Sequence, residues 1–123
     1  MSKRHSPRFI SIVEQVRSRV PELTIRQVKA RQDSGEEFYL VDVREESEWA
    51  AGRLPGAIHL SKGVIERDIE KAIPDTLDHI VCYCGGGFRS ALAVDNLRVM
   101  GYRNVWSMAG GFSGWQDEGL PVE

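Results

Sequence analysis

The sequence contains few cysteines and no long apolar run. Its 123 residues include two cysteines, too few for the disulfide framework of a small secreted domain, so we expect reduced thiols and a cytoplasmic protein. No segment approaches the roughly 18 consecutive apolar residues of a membrane span. Residues 9–13 are mostly apolar and follow basic residues, but Ser11 breaks the run and Glu14 ends it. We therefore expect neither a signal peptide nor a membrane span.

Charge is small overall and unevenly distributed. The formal net charge is −2, and we expect no nucleic-acid partner. Residues 1–20 carry five basic side chains against Glu14, a net charge of +4, which leaves −6 for residues 21–123. The length suits one domain with its own core. We interpret residues 1–20 as a basic amphipathic helix and extension that caps the domain formed by residues 21–123; a dimer contact, an acidic partner and targeting are the alternatives.

Periodicity predicts alternating helices and strands. Apolar residues at helical spacing indicate helices over 9–20, 62–72 and 89–100, a capping box at Thr24 and Gln27 opens another, and shorter helical segments cover 45–51 and 112–117. We expect Ala30 and Val99 to face inward. Strands are predicted over 38–43, 57–60, 79–84 and 104–108. This order predicts an α/β fold whose mainly parallel, four- to five-stranded sheet has helices on both faces.

Cys84 ends a predicted strand, and three glycines and a predicted helix follow it. The amides of such a turn and the helix dipole form a concavity that favours an anion, and the thiolate is the nucleophilic form of cysteine. Cys84 is therefore the candidate catalytic residue. The candidate binding loop, in which Arg89 supplies the cation, consists of Gly85, Gly86, Gly87, Phe88, Arg89 and Ser90. The alternative is a core cysteine followed by an ordinary connection.

Polar residues at the end of the 38–43 strand form a second candidate group. Asp42 and Arg44 would support the site electrostatically, or else form a buried pair that satisfies loop amides. A pair between Arg44 and Glu48 across the following turn is also expected. Cys82 shares a strand face with Cys84, and it is either a resolving thiol or a small buried hydrophobe. No spacing of histidine with cysteine indicates a metal site.

The chain resembles single-domain members of the rhodanese family of sulfurtransferases from about residue 21 to residue 123. Five motifs in the family's order carry the resemblance: residues 42–44, Asp-Val-Arg; 52–57, Gly-Arg-Leu-Pro-Gly-Ala; the loop 84–90; Leu97-Arg98 with residues 101–105; and Gly110-Gly111 followed by Trp115.

This resemblance implies a sulfurtransferase without metal or organic cofactor. Cys84 would take a sulfane sulfur from a small-molecule donor (thiosulfate, mercaptopyruvate or a persulfide) and hold it as a persulfide. The acceptor would be cyanide, a thiol or a protein thiol. The alternative is a sulfur-relay or regulatory interaction module with little turnover.

Two features of the loop bear on its chemistry. Cys84 and Arg89 have C-x4-R spacing, one residue shorter than the C-x5-R loop of related phosphatases and arsenate reductases, so a phosphatase is the less favoured function. Family members that act on thiosulfate often have a basic residue early in the loop, where this chain has glycine. Where the family commonly has histidine this chain has Arg53, which would place a fixed positive charge near the mouth of the candidate site. The sequence therefore predicts weak capture of thiosulfate.

Overall fold

The computed structural model describes residues 5–123. The strands are β1 (Glu22–Leu23), β2 (Tyr39–Asp42), β3 (Ile58–His59), β4 (Ile80–Tyr83) and β5 (Val105–Met108). The helices are α1 (Pro7–Arg17), α2 (Ile25–Asp33), α3 (Glu46–Ala51), α4 (Ile65–Ala72), α5 (Phe88–Val99) and α6 (Gly111–Asp117).

The strands form one sheet in the order β1-β5-β4-β2-β3, with every pair parallel. The predicted α/β fold is confirmed, with five strands. The two-residue edge strand β1 is absent from the sequence prediction, which treats residues 21–23 only as the connection between two helices. Strand β4 lies at the centre, and its register with β2 sets Asp42 beside Tyr83. The carboxyl ends of β2 and β4 therefore meet at one edge of the sheet, where open α/β sheets place their ligand sites.

Each face of the sheet has its own apolar core. On one face, Ile80 and Cys82 of β4 pack in a cluster that includes side chains of α1, α4 and α5. On the other face, Val81 and Tyr83 pack with side chains of α2 and α6, including the fully buried Trp115. This alternation follows from the twofold period of a strand covered on both sides.

Local signals in the sequence explain where α1 and α2 begin, and helix geometry explains why two side chains predicted to be buried are exposed. Pro7 is the first residue of α1, a position where its missing N–H is not needed. The Thr24–Gln27 capping box is present at the start of α2.

The expectation that Ala30 and Val99 face inward is wrong, because both are exposed. Each lies two positions after a buried residue, Val28 or Leu97, and two positions turn a helix by roughly 200°.

Helix α1 packs along α5. Val13 and Val16 are buried, and Val16 and Val20 belong to the same core cluster as Ala91 and Val94 of α5. The contact ends in an exposed bidentate pair, in which Arg19 Nε and Nη2 each lie 3.0 Å from an Asp95 carboxylate oxygen. No helix among residues 5–123 has both the length and the apolar character that spanning a membrane requires.

Candidate active site

Cys84 lies between the end of β4 and the start of α5, and its sulfur accepts backbone hydrogen bonds. The Gly87 N–H donates to Sγ at 3.1 Å, and the Ser90 N–H donates at 3.3 Å. Gly87 caps α5 in a left-handed conformation, with φ +94°, that a side chain would strain. The turn therefore aims two amides at the sulfur, where they would stabilise negative charge.

A pair of buried hydroxyls lies behind the sulfur. Ser90 Oγ is 3.6 Å from Cys84 Sγ and 2.8 Å from Ser107 Oγ on β5. Because a hydroxyl hydrogen can rotate, Ser90 can accept from a thiol or donate to a thiolate, while Ser107 holds the Ser90 oxygen in place. The predicted binding loop includes Ser90 but not Ser107, whose side chain reaches the site only through the β4–β5 register.

Helix α6 holds the other side of the loop. The Phe112 N–H donates to the Cys84 carbonyl at 2.8 Å, and the Ser113 N–H donates to the Gly85 carbonyl at 3.0 Å. This approach requires glycine at position 111, because a Cβ there would lie 2.5 Å from the Cys84 carbonyl oxygen. The loop's first two carbonyls are thus bound by α6.

Arg89 forms a bidentate ion pair with Glu48 of α3. Nη1 donates to Oε1 at 2.8 Å, and Nη2 donates to Oε2 at 3.1 Å. The hydrogen bond from Arg89 lowers the pKa of Glu48 from 4.5 to about 2. The expected pair between Arg44 and Glu48 is therefore wrong, since the carboxylate pairs with the loop cation instead. A dianionic ligand would meet an arginine whose charge is already balanced.

Asp42 and Arg44 form a separate, almost fully buried pair at the end of β2. Arg44 Nε donates to Asp42 Oδ1 at 3.0 Å and Nη2 donates to Oδ2 at 2.8 Å; the two side chains are 5% and 0% exposed. Tyr83 Oη donates to Oδ2 at 2.7 Å and accepts from the Leu54 N–H, while Arg44 also donates to the Gly52 carbonyl. Burial and the bond to Asp42 raise the pKa of Tyr83. This network joins three chain segments, and neither member of the pair lines the cleft described below.

Cys82 and Cys84 are both buried, 0% and 1% exposed, and belong to the same core cluster, but only Cys84 lines the cleft described below. Burial, with a contribution from Cys84, raises the pKa of the Cys82 thiol to about 12. Both cysteines are free thiols. Cys82 therefore has the position of a small buried hydrophobe that no ligand in the cleft can reach.

Cys84 forms the floor of a cleft of about 700 Å³. Loop residues Gly85, Gly86, Phe88 and Arg89 also line it, together with His5, Phe9, Glu48, Ser113 and Asp117. The residues predicted for the site do not include His5, Phe9 or the two side chains from α6, Ser113 and Asp117. No local pattern points to them, because they reach the cleft through helix packing.

Arg53 does not line the cleft. Its guanidinium lies over the Trp49 ring, 4.4 Å from the centroid, and Nη2 donates to the Trp49 carbonyl. The expectation of a fixed charge near the mouth is therefore not met by this side chain. Across residues 5–123, no group of three or more histidine, cysteine, aspartate or glutamate side chains is arranged to hold a metal ion.

Comparison with known proteins establishes the family. The model of the rhodanese-like domain matches residues 24–118, so the chain belongs to the rhodanese-like domain family. A sulfurtransferase of Allochromatium vinosum is 34% identical over 84% of this chain and 94% of its own. The thiosulfate sulfurtransferase GlpE of Actinobacillus succinogenes is 38% identical over 72% of this chain and 78% of its own. The chain spans 52% of the length of YrkF of Bacillus subtilis, to which it is 29% identical.

One solved structure is similar over the whole chain. It is a protein of unknown function from Rhodopseudomonas palustris, described as a possible tyrosine phosphatase. It is 29% identical, the alignment covers 100% of this chain and 99% of that one, and the TM-score is 0.87. The similarity therefore extends over α1, which lies outside the part matched by the family model.

Proposed function

We propose that the protein is a sulfurtransferase in which Cys84 carries the transferred sulfur as a persulfide. The observation that carries the proposal is the pair of backbone amides, from Gly87 and Ser90, that donate to Sγ at the floor of an open cleft. The sulfurtransferases of A. vinosum and A. succinogenes support the same reaction class.

The reaction would have two displacement steps. The Cys84 thiolate attacks the outer sulfur of a donor X–S, a sulfur–sulfur bond forms, and the X–S bond breaks with its electron pair leaving on X. A thiolate or cyanide then attacks the outer sulfur of the persulfide, and the Cys84 thiolate is regenerated. The Gly87 and Ser90 amides would stabilise the thiolate through both steps. No oxidant, reductant or cofactor is needed.

Mass spectrometry of the intact protein tests the proposal. Wild type would be incubated separately with thiosulfate, mercaptopyruvate and a glutathione persulfide, and at least one donor should add one sulfur atom to Cys84. Cys84→Ser should abolish both the adduct and turnover. Cys82→Ser should retain most of both, because Cys82, unlike Cys84, does not line the cleft.

Three results would contradict parts of the proposal. Equal loss of turnover in both variants would indicate a two-cysteine mechanism. A stable adduct without transfer to cyanide or a thiol would indicate a relay module. Turnover of an aryl phosphate that depends on Cys84 would favour the phosphatase description given to the R. palustris protein. We expect no such turnover, since the C-x4-R loop is short for a tetrahedral oxyanion and Arg89 is paired with Glu48.

A further inference from the structure

His5 and Phe9, together with Phe88, form one wall of the cleft. The His5 ring lies 4.6 Å from the Phe88 ring and 5.2 Å from the Phe9 ring, both edge to face, and Phe9 and Phe88 are 6.1 Å apart. All three side chains are partly exposed and line the cleft that contains Cys84. We call these three residues the aromatic wall. His5 and Phe9 lie before residue 24, where the match to the family begins.

The packing of α1 determines where the aromatic wall lies. Val13 and Val16 are buried, and the far end of α1 is held by the Arg19–Asp95 pair and by Arg98, which donates to the Arg19 carbonyl at 2.7 Å. A helix fixed at its C-terminal end brings its first turn to a defined place. Phe9 and the preceding His5 thus reach Phe88 because α1 runs along α5.

The two sides of the cleft differ in polarity. The aromatic wall offers ring faces and edges to whatever enters. Apart from the rings, the side chains that line the cleft include the Glu48–Arg89 pair, Ser113 and Asp117. The formal charges of Glu48, Arg89 and Asp117 sum to −1. A small dianion gains little from either side, whereas a carbon group attached to the reacting sulfur can pack on the rings.

We propose that the aromatic wall is a specificity determinant that selects sulfur donors carrying an apolar or aromatic carbon group. The inference rests on the proposed function and names the donor class for the same site. For an organic thiosulfonate, R–SO2–S⁻, the Cys84 thiolate attacks the outer sulfur. The Cys84–sulfur bond forms, the sulfur–sulfur bond of the donor breaks, and the electron pair leaves with the sulfinate, R–SO2⁻. The group R would lie against His5 and Phe9.

Two donors that differ only in R test this assignment. Benzenethiosulfonate and methanethiosulfonate carry the same charge and each releases a sulfinate, so a change in the ratio of their kcat/KM values between wild type and a variant reports the contact made by R. His5→Ala should lower the benzene-to-methane ratio by roughly three- to tenfold relative to wild type, the range expected for one aromatic contact. Phe9→Ala should do the same, and His5→Phe should preserve the ratio because it retains a ring.

The controls separate selection from damage to the fold. His5 precedes α1, so His5→Ala removes the ring without altering the helix, and thermal melting would verify that α1 stays docked in Phe9→Ala. Ile12→Ala changes a side chain on α1 that is 53% exposed and should leave both the ratio and the rates unchanged. Using ratios also removes the intrinsic difference in reactivity between the two donors.

The failures are distinguishable. If wild type forms a Cys84 persulfide with thiosulfate, mercaptopyruvate or glutathione persulfide but with neither thiosulfonate, the proposed function stands and the donor class is wrong. If none of these donors forms a Cys84 persulfide, the proposed function is wrong and donor selection falls with it. If persulfide forms but the ratio is the same in wild type, His5→Ala and Phe9→Ala, the function stands and the selection does not. If the variants accelerate both donors equally, the aromatic wall is a barrier to entry rather than a selector.

Discussion

Two arginine–carboxylate pairs lie at the carboxyl edge of the sheet, and they differ in burial and in their surroundings. Asp42–Arg44 is almost fully enclosed, with side chains 0% and 5% exposed, and it bonds to Tyr83 and to a backbone carbonyl. Glu48–Arg89 is partly open, with side chains 37% and 29% exposed, and it lines the cleft beside Cys84. Similar chemistry thus stabilises the scaffold in one place and sets the charge of the candidate site in the other.

Replacing the arginine of each pair by methionine should produce the largest difference, measured as the loss in the free energy of unfolding. Arg44→Met leaves the Asp42 carboxylate buried without its cation, and it should lower the free energy of unfolding by about 3–5 kcal/mol. Arg89→Met acts on a partly exposed pair and should cost less than about 1 kcal/mol. Chemical denaturation of the two variants measures the difference. Equal losses would mean that burial does not separate the roles of the two pairs.

Releasing Arg89 should change how the cleft treats a dianion. Glu48→Gln removes the carboxylate that balances Arg89, so KM for thiosulfate should fall about five- to tenfold, since a charge-assisted contact is worth about 1.5 kcal/mol or more before screening. The turnover number should change little, because the amides on Cys84 remain in place.

The matched control for that prediction is Glu46→Gln, which removes the same charge from an exposed position on α3. Methanethiosulfonate, with a single charge, should respond less than thiosulfate to Glu48→Gln. An unchanged thiosulfate KM would show that Arg89 does not contact the donor even when it is released from Glu48.

Much of the fold could be predicted from periodicity, whereas the partners of charged residues could not. The strand, the Gly-rich turn and the helix that follow one another here are local patterns, and they predicted that Cys84 lies between a strand and a helix, as it does between β4 and α5. Arg44 and Glu48 are four residues apart in sequence, which suggested a pair. The actual partner of Glu48 is 41 residues away, and that contact depends on how α3 packs over the loop.

That α1 contributes to the cleft could not be predicted from the sequence, because this too depends on how one helix packs on another. The apolar spacing of α1 showed that residues such as Val13 and Val16 would be buried, and they are. It did not show that α5 would be the surface beneath them. Only that packing brings His5 and Phe9 to Phe88, so a helix expected to cap the domain also forms a wall of the cleft.

The smallest expected effect is a pH dependence of stability that comes from the titration of Glu48 in the Glu48–Arg89 pair. Because the pKa of Glu48 is about 2 in the folded protein against an ordinary 4.5, the unfolded chain binds more protons on this group between those values. The stabilisation from Glu48–Arg89 should therefore be complete above about pH 5, decline as pH falls from 4.5 toward 2, and amount to less than about 1 kcal/mol because the pair is partly exposed. Urea unfolding of wild type and Glu48→Gln at a series of pH values measures this difference, with Glu46→Gln as the exposed control. A difference that stays constant down to pH 3 would mean that Glu48 gains its stability from contacts other than its charge. A difference that vanishes already at pH 6 would mean that Arg89 does not hold the carboxylate ionised.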